Sequence, residues 1–147
     1  MQSLRIAFIK ANWHSEIVSK SLEGFQQELD STQTPYTLDV LDVPGAFEMP
    51  LLAQRLAKTG GYDAIVCAAL VVDGGIYRHD FVAQSVVSGL MQVQLATDVP
   101  VYSVSLTPHN FQPAAEFIDF YTGHFVKKGK EAARAVQQVH NLSLPKK

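Results

Sequence analysis

Apolar residues recur along this chain with two alternating periods. Residues 4–9, Leu4-Arg5-Ile6-Ala7-Phe8-Ile9, form a short apolar run that reads as a first strand. Val18, Leu22, Phe25 and Leu29 follow at steps of four and three, one face of a helix. Residues 30–35 are a polar connection. Residues 36–43 alternate in part and read as a second strand, broken by Pro44-Gly45. A helix is expected from Phe47, with Phe47, Leu51, Leu52 and Leu56 on one side, Pro50 tolerated in its first turn and Gly60-Gly61 at its end. Residues 64–72 are apolar throughout and read as a buried third strand, and residues 82–95 as a long apolar third helix. Residues 99–106 are the fourth strand. The rest is helical with an interruption, over 114–120 and again over 128–140.

Strand and helix alternate four times. That order predicts an α/β fold: a four-stranded parallel sheet with helices on both faces and right-handed crossovers, in a single domain spanning residues 1–147. The third helix is apolar nearly all round and carries Ala83, Ser85, Ser88 and Gly89. A helix of that kind is buried on every side, which in so small a sheet requires a second copy, so a homo-oligomer is expected.

Composition narrows the class. Apolar residues make up 47% and charged residues 18% of the 147, as in a compact globular protein. A net charge of −2 gives no general attraction to nucleic acid or to acidic membranes. Cys67, the lone cysteine, excludes an intrachain disulfide and reads as an inert buried thiol. No stretch is long and charge-free enough to span a bilayer, and Met1-Gln2-Ser3 leads straight into the first strand, so a cytoplasmic protein without a leader is expected.

A parallel sheet gathers the turns after its strands along one edge, where ligands bind. Those turns carry Asn12-Trp13-His14, then Pro44-Gly45-Ala46-Phe47-Glu48, then Asp73-Gly74-Gly75-Ile76-Tyr77-Arg78-His79, then Thr107, His109 and Asn110. Trp13, the only tryptophan, is either a core residue or a platform for a flat heterocycle. Glu48 either complements a helix dipole or accepts hydrogen bonds from ligand hydroxyls. The backbone N–H groups of Ala46 and Phe47 are available to a ring carbonyl. Gly74-Gly75 alone is a plain turn; with Arg78 beside a helix N-terminus it becomes an anion site. His79 adds a group that titrates near neutrality. No His, Asp or Glu spacing matches a metal site.

Together these residues resemble the 6,7-dimethyl-8-ribityllumazine synthase family over nearly the whole chain. The most specific part is Val43-Pro44-Gly45-Ala46-Phe47-Glu48-Met49-Pro50. The spacing from Trp13 to that motif and on to Val71-Val72-Asp73-Gly74-Gly75 also fits, and Gly74-Gly75-Ile76-Tyr77-Arg78-His79-Asp80-Phe81-Val82 resembles the second-type bacterial members. The resemblance implies a flavodoxin-like three-layer sandwich, assembled as a pentamer or as a decamer of two pentamers, with sites between subunits. It implies condensation of 5-amino-6-(D-ribitylamino)uracil with 3,4-dihydroxy-2-butanone 4-phosphate, the penultimate step of riboflavin biosynthesis, without a metal or redox cofactor. By family position Trp13 would stack on the pyrimidine. Ala46, Phe47 and Glu48 would hold the ribityl chain, and Leu70, Val71 and Val72 would line the ring edge. Ser103 would reach the pyrimidine from the adjacent subunit. Gly75 and Ile76 would cradle phosphate.

Two departures bear on chemistry. The family's acid–base histidine falls on Arg78, and a guanidinium stays protonated at any working pH. Arg78 can hold the phosphate and stabilise its departing charge, leaving proton transfer to His79, a water or the phosphate itself. Near the C-terminus no arginine stands in residues 116–124, where many relatives bind phosphate; His124 and Lys128 are the available cations. A rival reading is a lumazine- or riboflavin-binding storage protein with little turnover, since Trp13 can stack on any such ring. A receiver domain of the same topology would want acidic residues where Asn12, Trp13 and His14 stand.

Overall fold

The computed structural model describes residues 3–72, 79–107 and 115–142, with the backbone alone for 115–117. The strands are β1 (Leu4–Ala11), β2 (Tyr36–Val43), β3 (Ala64–Leu70) and β4 (Val101–Leu106). The helices are α1 (Ser15–Ser31), α2 (Met49–Lys58), α3 (His79–Thr97) and α4 (Ala115–His140), with a single 3-10 turn over Ala46–Glu48 before α2. The sheet is parallel throughout, in the order β2-β1-β3-β4. That is the order of the flavodoxin-like doubly wound class, with its switch point between β1 and β3. The three-layer sandwich expected from the sequence is what forms.

Strand alternation sorts the core into two halves. Leu4, Ile6 and Phe8 of β1, with Ala64, Val66, Ala68 and Leu70 of β3, face α1 and α4. Ala7, Ile9 and Ala11, with Ile65, Cys67 and Ala69, face α2 and α3. Every residue of β3 is buried, as its unbroken apolar run requires. β2 and β4 lie at the sheet's edges and are correspondingly half exposed.

The α1–α4 contact is unusually close. A Cβ built on Gly24 would run into the Val126 carbonyl, and one on Gly129 into the Ser21 carbonyl. Ser21 is fully buried there and turns its hydroxyl to the Val18 carbonyl at 2.6 Å. Phe25 reaches across to β1, meeting Phe8 edge-to-face with centroids 5.3 Å apart, a geometry aromatic quadrupoles favour.

Two expectations need correction. α4 runs without the interruption expected between 120 and 128. Tyr121-Thr122-Gly123 is a poor helical sequence, but Ile118, Tyr121 and Phe125 pack against the α1 half of the core and carry the helix through. Phe47, in the 3-10 turn, and Leu51 of α2 do not face the sheet: they are 65% and 52% exposed, and Met49, Ala53 and Ala57 form the inner stripe. Small residues let that helix lie close to the strands. The third helix is apolar nearly all round, as the sequence has it: within this chain α3 buries only Ala83, Val86, Leu90 and Val93 and leaves Phe81, Val87, Met91 and Leu95 exposed. Among the described residues, no helix is long and apolar enough to cross a membrane.

Candidate active site

At the carboxyl edge the strands end nearly level: Ala11 pairs with Val43, and Leu70 with Leu106. The β1–β2 ladder continues one step further, through Asn12 N–H to the Val43 carbonyl at 2.9 Å. The chain then turns through His14, which holds the left-handed conformation (φ 53°) and whose carbonyl accepts from Ile17 and Val18 to open α1. That sharp turn leaves Trp13 at the mouth of the sheet. The indole is half-buried, packed against the α2–α3 half of the core.

Its Cζ2, Cε2 and Nε1 atoms lie against Gly45, where a Cβ would collide with all three. The next residues make the 3-10 turn, closed by Glu48 N–H donating to the Gly45 carbonyl at 3.3 Å and Met49 N–H to that of Ala46. Ala46 is fully buried and anchors the turn, whereas Phe47 and Glu48 stand in solvent. The structure thus seats the Trp13 indole against Gly45, at the start of the turn that carries buried Ala46 and the exposed Phe47 ring and Glu48 carboxylate. Lys10, one residue short of the strand end, is already engaged by Asp42 at 3.4 Å and by the Ser19 hydroxyl at 3.4 Å.

Past β3, Leu70 and Val71 are fully buried and Val72 partly so. Val71 is tied on both sides: its N–H donates to the Leu106 carbonyl at 2.8 Å, and its carbonyl accepts from the Thr107 hydroxyl at 2.7 Å. Its N–H is therefore committed within the chain. Gly75, Ile76 and Arg78, like His109 and Asn110, lie outside the described residues. His79 is the first residue of α3 and is half-buried.

Ser103 and Lys128 fall elsewhere. Both line a groove of about 260 Å³ between β4 and α4, with Tyr102, Leu106 and Glu131 among its other walls. Two strand spacings, each about 4.8 Å, separate β1 from β4, so one chain does not bring Ser103 to Trp13. Lys128 is paired with Glu131 at 3.1 Å, and its ammonium holds the Glu131 carboxyl below the usual carboxylate range. An incoming phosphate would compete with that carboxylate. The Ser103 hydroxyl accepts from Ser105 N–H at 3.2 Å. Burial raises the Tyr102 phenol to about 12, so it enters this groove as a neutral hydroxyl. His124, one turn before Lys128, stacks on exposed Phe120 with centroids 5.7 Å apart.

Glu131 and Tyr102 were not singled out from the sequence. The i,i+3 spacing of Lys128 and Glu131 is the signal that would have found the first. Nothing in the sequence marks Tyr102, which shares a wall with Lys128 only because α4 packs beside an edge strand. Among the described residues, no group of three or more His, Cys, Asp or Glu side chains is placed to hold a metal ion.

Residues 3–143 match the family model for 6,7-dimethyl-8-ribityllumazine synthase. A protein of that name from Rhodococcus erythropolis is 61% identical over 137 residues, covering 92% of this chain and 88% of its own. A 6,7-dimethyl-8-ribityllumazine synthase 2 from Pseudomonas syringae pv. tomato is 55% identical over 138 residues, covering 93% and 81%. Another so named, from Bradyrhizobium diazoefficiens, is 50% identical over 131 residues, covering 89% and 79%. Among solved structures, oxidised flavodoxin 2 from Bacillus cereus superposes at TM-score 0.44 with 12% identity, over 92% of this chain and 99% of that one, a likeness too loose to argue from. A family model matching residues 3–143, and relatives this similar over most of their own length, decide the matter: the chain belongs to the 6,7-dimethyl-8-ribityllumazine synthase family.

Proposed function

We propose that this protein condenses 5-amino-6-(D-ribitylamino)uracil with 3,4-dihydroxy-2-butanone 4-phosphate to 6,7-dimethyl-8-ribityllumazine, in the riboflavin pathway and in the cytoplasm. The observation that carries the reading is the Trp13 indole seated against Gly45, directly beside the Ala46–Glu48 turn. Trp13 offers a stacking surface for a flat ring, and the turn that starts at Gly45 carries an exposed carboxylate, Glu48, for a hydroxylated chain. The pyrimidine lies on Trp13, and Glu48 accepts hydrogen bonds from the ribityl hydroxyls. The 5-amino group attacks the ketone carbonyl, and loss of water gives an imine. The phosphate leaves by elimination, and the second ring closes with loss of another water.

Arg78, with Gly75 and Ile76, binds the phosphate and stabilises its departing charge. A guanidinium cannot accept a proton, so His79 or the phosphate itself carries that task. Leu70, Val71 and Val72 form the wall behind the ring.

The same reading makes the protein a homo-oligomer, a pentamer or a decamer of two pentamers. Ser103 and Lys128, with His124 nearby, then complete the site of a neighbouring copy, since they line the groove between the edge strand β4 and α4, away from Trp13. Phe81, Val87, Met91 and Leu95 of α3, with Leu51 of α2, supply the apolar surface for that contact.

The test mixes purified protein with both substrates and follows product absorbance. A rate well above the uncatalysed condensation is expected. Tight riboflavin binding with no such rate would replace this reading with storage. Sedimentation velocity checks the assembly, and a stable, active monomer would remove the shared-site proposal.

A further inference from the structure

We infer that Gly45 is a positioning residue for ring binding and acts only through Trp13. Its backbone does not call for glycine: φ −154° and ψ 178° are extended values open to any residue. What calls for glycine is space. The Cζ2, Cε2 and Nε1 atoms of Trp13 stand where a Cβ would be. Neither backbone segment can retreat cheaply. Asn12 N–H is bonded to the Val43 carbonyl on one side, and Glu48 N–H to the Gly45 carbonyl on the other. Ala46 is fully buried behind them. The indole is the half-buried, movable partner. A side chain at 45 therefore swings the indole outward, away from the turn that carries Phe47 and Glu48. The stacking surface and the carboxylate then no longer meet the same ligand.

The functional half of this inference rests on the reading that Trp13 stacks on the pyrimidine; the geometric half does not. Trp13 is the only tryptophan, so emission under tryptophan-selective excitation reports on the surroundings of this one indole. In free Gly45→Ala protein the emission is expected to shift to the red and to become more accessible to acrylamide quenching. Unchanged emission and quenching would overturn the proposal. In steady-state assays Gly45→Ala is expected to raise KM for the ribitylaminouracil about tenfold, the range set by loss of an oriented aromatic contact, with a smaller change in kcat. In a Trp13→Ala background the same substitution is expected to change nothing further, because the space is empty. An equal rise in KM in both backgrounds would show that Gly45 acts through its own backbone and would overturn the proposal.

If Gly45→Ala does not fold, Gly45→Ala with Trp13→Phe should, since the smaller ring vacates part of the space; its failure to fold would also overturn the idea. If the wild-type protein shows no turnover, the enzymatic reading falls and takes the KM arm with it. The emission arm then still decides the contact.

Discussion

Gly129 and Gly123 lie on the same helix and are expected to respond to alanine with opposite signs. A Cβ at 129 would sit 2.7 Å from the Ser21 carbonyl carbon and 2.9 Å from its Cα, with the carbonyl oxygen closer still. All three are backbone atoms, so no rotamer change relieves the clash and α1 and α4 must part. Phe25 and Leu29 of α1, with Phe125, Ala133 and Val136 of α4, are fully buried on that side of the core. A gap of ~0.5–1 Å forfeits a quarter to a half of each contact well. Over some tens of carbon–carbon contacts at about 0.1–0.2 kcal/mol each, plus residual strain, the cost is about 3 kcal/mol, the upper part of the overpacking range. Alanine's better helix propensity returns about 1 kcal/mol, for a net loss of about 2 kcal/mol. At Gly123 a Cβ meets nothing within 4 Å, so only the propensity term remains and stability should rise by about 1 kcal/mol. Urea unfolding followed by circular dichroism measures both, at one fixed protein concentration because assembly couples to apparent stability. A Gly129→Ala protein as stable as the wild type would refute the claim that this glycine is needed for helix contact.

Three further outcomes are expected. Cys67 is fully buried and desolvation raises its thiol pKa, so a thiol reagent should leave it untouched in the native protein and modify one equivalent in denaturant. Rapid native labelling would contradict the packing of β3. The Asp63 carboxyl is held below its ordinary 3.8 chiefly by its hydrogen bond with Arg5. A depressed folded pKa adds stability above the unfolded value and loses it as acid passes through the folded one. The advantage over Asp63→Asn should therefore be present at neutral pH and fade below about pH 4, as pH-dependent melting would show. Thr107→Val removes the hydroxyl that holds the Val71 carbonyl, at a cost of about 1 kcal/mol. Thr107→Ser should restore most of it in the same unfolding assay.

The alternation of periods was enough to read the parallel sheet, because β1 and β3 are buried by their own chain and so carry clean apolar runs. Helix faces were harder. Phe47 and Leu51 follow helical spacing as well as any core residue, and nothing in the sequence distinguishes a stripe meant for the sheet from one turned away from it. The unbroken course of α4 was also hidden. Its weak middle is overridden by packing of Tyr121 and Phe125, which local propensity does not register. At the site, Trp13 and the Pro44–Glu48 stretch were legible as strand-end residues, but their contact was not, since it depends on where two loops settle above the sheet. The shared groove of Ser103 and Lys128 depends in the same way on how α4 sits against an edge strand.

The close seating of α4 on α1 joins segments made far apart in time, because β2, α2, β3, α3 and β4 are made between them. At about 5–20 residues per second, a translating chain holds the apolar face of α1 uncovered for on the order of ten seconds before α4 is complete. During that time Phe25 and Leu29 lack Phe125 and Val136, and half of the core stays open. Removal of α4, or a stall before it, should leave a chain that binds chaperones or aggregates rather than a smaller folded domain. α1 waits for α4, made much later, to close over it.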